Sequence, residues 1–120
     1  MANRNFSRVQ GLNKEIKIIA GSFDDADAKV AGLGYTAADT GTGVYTITLD
    51  DKYHALLSIT ANIQSTSGTD DFVVSIAAHD VTSAKTITLH VAVAGTLTDL
   101  GSGDSIHFAA FLQNSATPSV

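Results

Sequence analysis

The stretch His54-Ala55-Leu56-Leu57-Ser58-Ile59-Thr60-Ala61-Asn62-Ile63 decides the fold. Ala55, Leu57, Ile59, Ala61 and Ile63 alternate with His54, Leu56, Ser58, Thr60 and Asn62, the longest period-two run in the chain. Successive side chains of a strand point to opposite faces, so this run reads as a strand with one apolar side. Its length makes a central strand the expectation.

Outward from that run the same alternation recurs between turn signals. Before it, a strand is expected over residues 15 to 22, where Ile16, Ile18 and Ala20 alternate with Lys17, Ile19 and Gly21. The Asp24-Asp25-Ala26-Asp27 cluster that follows reads as a loop or a single helical turn. Residues 33 to 38 and 44 to 49 flank a glycine-bearing linker, Asp39 to Gly43, and read as a hairpin. After the run come Phe72, Val74, Ile76 and Ala78, then Ile87, Leu89, Val91 and Val93, and last Ile106, Phe108, Ala110 and Leu112. A short strand at Leu97 is expected within the loop from Gly95 to Gly103.

These elements describe an all-β domain, an antiparallel β-sandwich or jelly-roll-like fold over residues 15 to 113. An extended basic N-terminal arm, residues 1 to 14, precedes it, and a polar C-terminal tail, 114 to 120, follows. Ile47, Leu57, Ile59, Val74, Ile76, Leu89, Val91 and Phe108 form the expected core. Leu56, Val73, Ala92, Ala109 and Phe111 fall on the opposite strand faces, where a lone sandwich would leave them wet. They are the expected oligomer interface, covered by neighbouring copies.

Composition agrees. Thr, Val and Ile together number 32 of 120 residues, against one glutamate and one methionine, so β-branched residues outweigh straight-chain helix formers. With no cysteine there is neither a disulfide framework nor a thiolate site. The longest unbroken apolar run, Phe108 to Leu112, falls far short of the roughly 20 residues a membrane-spanning helix needs, so no membrane partner is expected. The first twenty residues lack the apolar segment of a secretory signal. Charge is unevenly placed: Arg4, Arg8, Lys14 and Lys17 stand near the start, whereas residues 21 to 120 hold three lysines against eleven aspartates. So acidic a body repels phosphate backbones, which argues against nucleic acid, while its basic arm suits an acidic protein surface.

Residues that could carry chemistry have simpler readings. His90 and His107 would approach one another only on neighbouring strands, and no HExxH or His-x-His spacing is present. Asp24, Asp25 and Asp27 lack the spacing and closing glutamate of a calcium loop and read as solvated turns, as do Asp50-Asp51 and Asp70-Asp71. Asp104, Ser105 and His107 have the residue types of a hydrolytic triad, but Asp104 falls on the face opposite Ser105 and His107, and no GxSxG elbow occurs. Gly32-Leu33-Gly34 and Gly41-Thr42-Gly43 read as hairpin glycines. No catalytic residue, metal site or cofactor is expected. A sugar-binding platform would have to come from Tyr35, Tyr45 or Tyr53, of which Tyr45 reads as core.

Three segments carry a resemblance: Met1-Ala2-Asn3-Arg4-Asn5-Phe6-Ser7-Arg8-Val9-Gln10, Gly32-Leu33-Gly34-Tyr35-Thr36, and Thr40-Gly41-Thr42-Gly43-Val44-Tyr45-Thr46-Ile47-Thr48-Leu49. Together the chain resembles small virion proteins of tailed bacteriophages, most of all their capsid decoration, or cement, proteins. The resemblance implies a structural protein, not an enzyme, assembled in the host cytoplasm and placed on the capsid exterior as a homotrimer. Its implied partner is the major capsid protein, engaged by the arm through Arg4, Phe6, Arg8 and Val9. A tail or fibre accessory domain of a virion, a carbohydrate-binding β-sandwich module and a small hydrolase are the alternatives.

Overall fold

The computed structural model describes residues 16–26, 29–66 and 71–114, and these form an all-β, antiparallel sandwich. In chain order the strands are β1 (Ile16–Asp24), β2 (Lys29–Gly32), β3 (Tyr35–Gly41), β4 (Val44–Leu49), β5 (Ala55–Gln64), β6 (Phe72–Asp80), β7 (Thr86–Val93), β8 (Thr96–Leu97) and β9 (Ser105–Gln113). One sheet has the order β2-β1-β9-β5, which we call sheet A. The other, sheet B, runs β3-β4-β7-β6, with the short β8 paired to the end of β7. The neighbour orders β3-β4-β7-β6 and β5-β9-β1 match the A-B-E-D and C-F-G orders of an immunoglobulin sandwich, except that β1 comes first in the chain and not last.

Between the sheets lies one core. Ile19 and Phe23 come from β1, Tyr35 from β3, Tyr45, Ile47 and Leu49 from β4, Ile87, Leu89 and Val91 from β7, and Ile106, Phe108, Ala110 and Leu112 from β9. The three strands that contribute most, β4, β7 and β9, are interior to their sheets, and buried positions alternate with half-buried or exposed ones along β4, along β9 and along β7 as far as Ala92. Four aromatic rings knit the centre: Phe23 packs on Tyr45 and Phe108 with centroids 6.1 and 6.2 Å apart, and Tyr35 meets Phe108 edge-on at 4.8 Å. Such tilted and edge contacts suit the quadrupoles of the rings.

The expected core is partly corrected. Ile47, Leu89, Val91 and Phe108 are buried, and Ile59 and Val74 pack against the core from its margin. Leu57 is 38% exposed and Ile76 47% exposed. For Leu57 the cause is a β-bulge: Leu56 pairs with Leu112 and Ser58 with Phe111, leaving Leu57 as the extra residue. One added residue reverses the faces on its N-terminal side, so Leu56 turns toward the core and Leu57 out of it. Ile76 keeps the core side, next to a second bulge at Ala77, but β6 is an edge strand with no neighbour to cover it.

Position in the sheet is also corrected. The longest alternating run, β5, is an edge strand, not a central one. Its length reflects continuous pairing with β9 on one side, from Ala55↔Gln113 to Gln64↔Ser105. Of the two glycine pairs, Gly41-Thr42-Gly43 closes the β3–β4 hairpin as expected. Gly32-Leu33-Gly34 instead carries the chain from sheet A to sheet B, with φ of 101° and 91° at its two glycines, a region side chains disfavour. β2 was not expected from the sequence. Among the described residues no helix is long and apolar enough to cross a membrane.

Candidate interaction surface

The two outer faces of the sandwich differ in chemistry. On sheet B, strict alternation turns threonines outward: Thr46 stands opposite Thr88, and Thr48 is flanked by Thr36 and Thr86. Hydroxyls and methyls on a pleated face are at ease in water, so these rows make no demand for a cover, whereas the end row of Val73, Ala92 and Leu97 is apolar, with Val73 63% exposed.

Sheet A divides into two halves. At one end, Ile18 pairs with Phe111, which also faces Ser58 and the bulged Leu57, and Ala20 pairs with Ala109. Ile18 is 42% exposed, and Phe111, Ala109 and Ile16 are half-buried without belonging to the core. At the other end the outward residues are polar: Ser22, His107 and Asn62 in one row, Asp24, Ser105 and Gln64 in the next. The apolar half is the end at which β1 begins, at Ile16.

The five residues expected to form one oligomer interface do not form one patch. Ala109 and Phe111 lie on the outer face of sheet A, Val73 and Ala92 on that of sheet B, and Leu56 packs against the core. Arg4, Phe6, Arg8 and Val9 of the arm, and the tail from 115 onward, lie outside the described residues.

The histidines are dispersed. His90 faces outward from sheet B and His107 from sheet A, on opposite sides of the molecule, and His54 and His79 are exposed at strand ends. Among the described residues no three His, Cys, Asp or Glu side chains gather as metal ligands. Ser105 and His107 do share a face, with Oγ 3.1 Å from Nε2. The same nitrogen lies 3.1 Å from Oε1 of Gln64. Nε2 is thus shared between the Ser105 hydroxyl and the Gln64 amide and is not dedicated to Ser105.

Asp104, the third member of that trio, is buried and engaged elsewhere. Its Oδ1 accepts from the Thr66 backbone N–H at 2.8 Å and the Thr66 hydroxyl at 3.1 Å, and Oδ2 from Gly101 N–H at 2.9 Å. These bonds, the Thr66 amide foremost, hold its carboxyl below the usual aspartate range. Around it the 98–104 loop is tied to the body: Asp99 accepts from Gly43 N–H at 2.6 Å, the Tyr45 hydroxyl accepts from Leu100 N–H at 2.9 Å, and Gly103 N–H donates to Asp25 at 3.3 Å. Asp25, which read as part of a solvated turn, is thus a loop anchor alongside Asp99 and Asp104, and the three are invisible to spacing because their partners lie 38 to 78 residues away.

Tyr35 and Tyr45 are buried core residues and Tyr53 packs against the core, so the three tyrosines do not present a sugar platform. Comparison of the chain with known protein families, curated proteins and solved structures finds no match.

Proposed function

We propose that the protein is a bacteriophage virion component, a decoration or cement protein that binds the major capsid protein on the outside of the head and has no catalytic role. The observation that carries this reading is the apolar half of the outer face of sheet A, where Ile18, Leu57 and Phe111 stay partly exposed beside the start of β1. The chain segment that joins the sheet there carries the basic and apolar residues of the phage-like arm, Arg4, Phe6, Arg8 and Val9. An apolar patch at the strand end to which a basic segment is joined in sequence suits an acidic protein lattice: the patch supplies area, and the arginines supply charge against carboxylates. The all-β body and its acidic surface are consistent with a protein that does not compete for packaged nucleic acid.

The test is binding to purified shells that lack the protein. Wild type should saturate them. Deleting residues 2–12 should leave the circular dichroism spectrum unchanged and abolish binding. Phe6→Ala should weaken binding at any salt, and Arg4→Ala mainly at low ionic strength, where exposed pairs are least screened. Phe111→Ser should weaken it without unfolding the body. Unchanged saturation by the truncated protein would move the docking surface off the arm, and no binding by wild type would remove the decoration reading.

A further inference from the structure

We infer that the protein associates with a second copy of itself through the β5 edge, pairing β5 antiparallel to β5 of the partner about a two-fold axis at Ala61. The two flanks of the sandwich are unlike. On one, the chain crosses from β2 to β3 through Gly32-Leu33-Gly34 and β2 is only four residues long, while a bulge occurs in β3, β5 and β6 alike. Short strands, bulges, charge and covering chain are how sheets protect their edges. On the other flank both edges are long. β5 has ten residues and contains no charged side chain and no proline, and β6 has nine with Asp80 at its last position as the only acidic or basic residue besides His79.

Beyond the Leu57 bulge, Ser58 to Gln64 runs regularly, and its pattern is self-complementary. Antiparallel pairing centred on Ala61 sets Ile59 opposite Ile63 of the second copy, Thr60 opposite its Asn62, and Ser58 opposite its Gln64. Apolar residues thus meet apolar residues on the core side, and polar ones meet polar ones on the outer side. Ala61 meets itself at the axis. With no charge on the strand, no like-charged pair arises. A different partner could supply complementary chemistry, but a second copy is the occupant for which this palindromic pattern is itself the complement. Half-exposed Phe72, Val74 and Ile76, on the other edge of the same flank, would come under partial cover as the sandwiches abut. The contact is two-fold, where the resemblance implies three-fold, and it does not depend on capsid binding.

Light scattering on the full chain at micromolar concentration should give a dimer mass. Thr60 and Asn62 are exposed, so charging them leaves the fold intact. Thr60→Lys/Asn62→Lys places lysine against lysine across the axis and should yield monomer with an unchanged circular dichroism spectrum. Thr60→Lys/Asn62→Asp places each introduced lysine against an introduced aspartate and should restore the dimer, more strongly at low salt. Because the chain has no cysteine, Ala61→Cys should form an intermolecular disulfide under mild oxidation, the Cα atoms of a directly opposed pair lying about 4.5–5.5 Å apart, whereas Thr36→Cys on the protected flank should not. A monomeric wild type, a trimer, or an oligomer indifferent to the double lysine variant would overturn the assignment. So would a dimer lost on deleting residues 2–12, which would make the N-terminal segment the occupant.

Discussion

The hydroxyl of Tyr35 lies where a β-carbon on Gly21 would sit, a space that the Ala31 carbonyl oxygen also crowds. Tyr35 lies on the edge strand of sheet B and Gly21 on β1 of sheet A, so the phenol bridges the sandwich, its oxygen 2.8 Å from the Ser22 carbonyl and 2.6 Å from that of Ala31. Gly21→Ala should cost about 1–3 kcal/mol through overpacking. Tyr35→Phe keeps the ring against Phe108 and should cost about 1 kcal/mol for the lost hydrogen bond. Because both changes act on one space, the double variant should cost less than the sum in urea unfolding, and strict additivity would deny the shared contact.

The bulge in β5 makes its two leucines unequal. Leu56→Ala removes a side chain that packs against the core and should cost about 2 kcal/mol or more. Leu57→Ala, at a partly exposed bulge position, should cost under about 1 kcal/mol. Denaturation midpoints of the two variants check the direction, and a reversed order would restore the unbulged register.

Asp104 anchors the 98–104 loop to Thr66. Asp104→Ala leaves the amides of Thr66 and Gly101 without their acceptor and should cost about 1–3 kcal/mol. Asp104→Asn can still accept from Thr66 but sets a donor against Gly101 N–H, so it should fall between alanine and wild type. Hydrogen exchange at the Thr66 and Gly101 amides should speed up in both, more in the alanine variant.

Two aspartates and three tyrosines set opposite pH limits. Asp104 and Asp80 are held below their ordinary range, Asp104 chiefly by the Thr66 amide and Asp80 chiefly by those of Ser83 and Ala84. The stability each contributes is complete above the unfolded pKa near 4 and is lost as pH falls through the lower folded value. Tm should therefore be level at neutral pH and decline below about pH 4. Tyr45, Tyr35 and Tyr53 are pushed up, in each case mainly by burial. Their contribution holds below about pH 10 and is lost as pH rises through the folded values, so tyrosinate absorbance should appear together with loss of the β spectrum. Tyrosines that ionised near pH 10 with the fold intact would contradict their burial.

Much of the fold was legible because alternation is local. β4, β7 and β9 each repeat with period two on strands paired on both sides, and Ile47, Leu89, Val91 and Phe108 are inside as that period requires. The same rule misplaced Leu57, since a bulge inserts a residue without leaving a composition signal, and it missed β2, whose Lys29-Val30-Ala31-Gly32 is too short to show a period.

What the chain determined by itself is therefore the class: β-branched, alternating segments separated by aspartate and glycine turns admit two apolar faces packed together and little else. Which strands became neighbours was settled only in three dimensions. Alternation assigns a side chain to a face but not a strand to a partner, so the place of β5 at an edge, the separation of His90 from His107, and the capture of Thr66 by Asp104 all depended on contacts distant in sequence. Such contacts are chosen by how the whole core fills and by which buried polar groups find partners, and both are properties of the assembled sandwich.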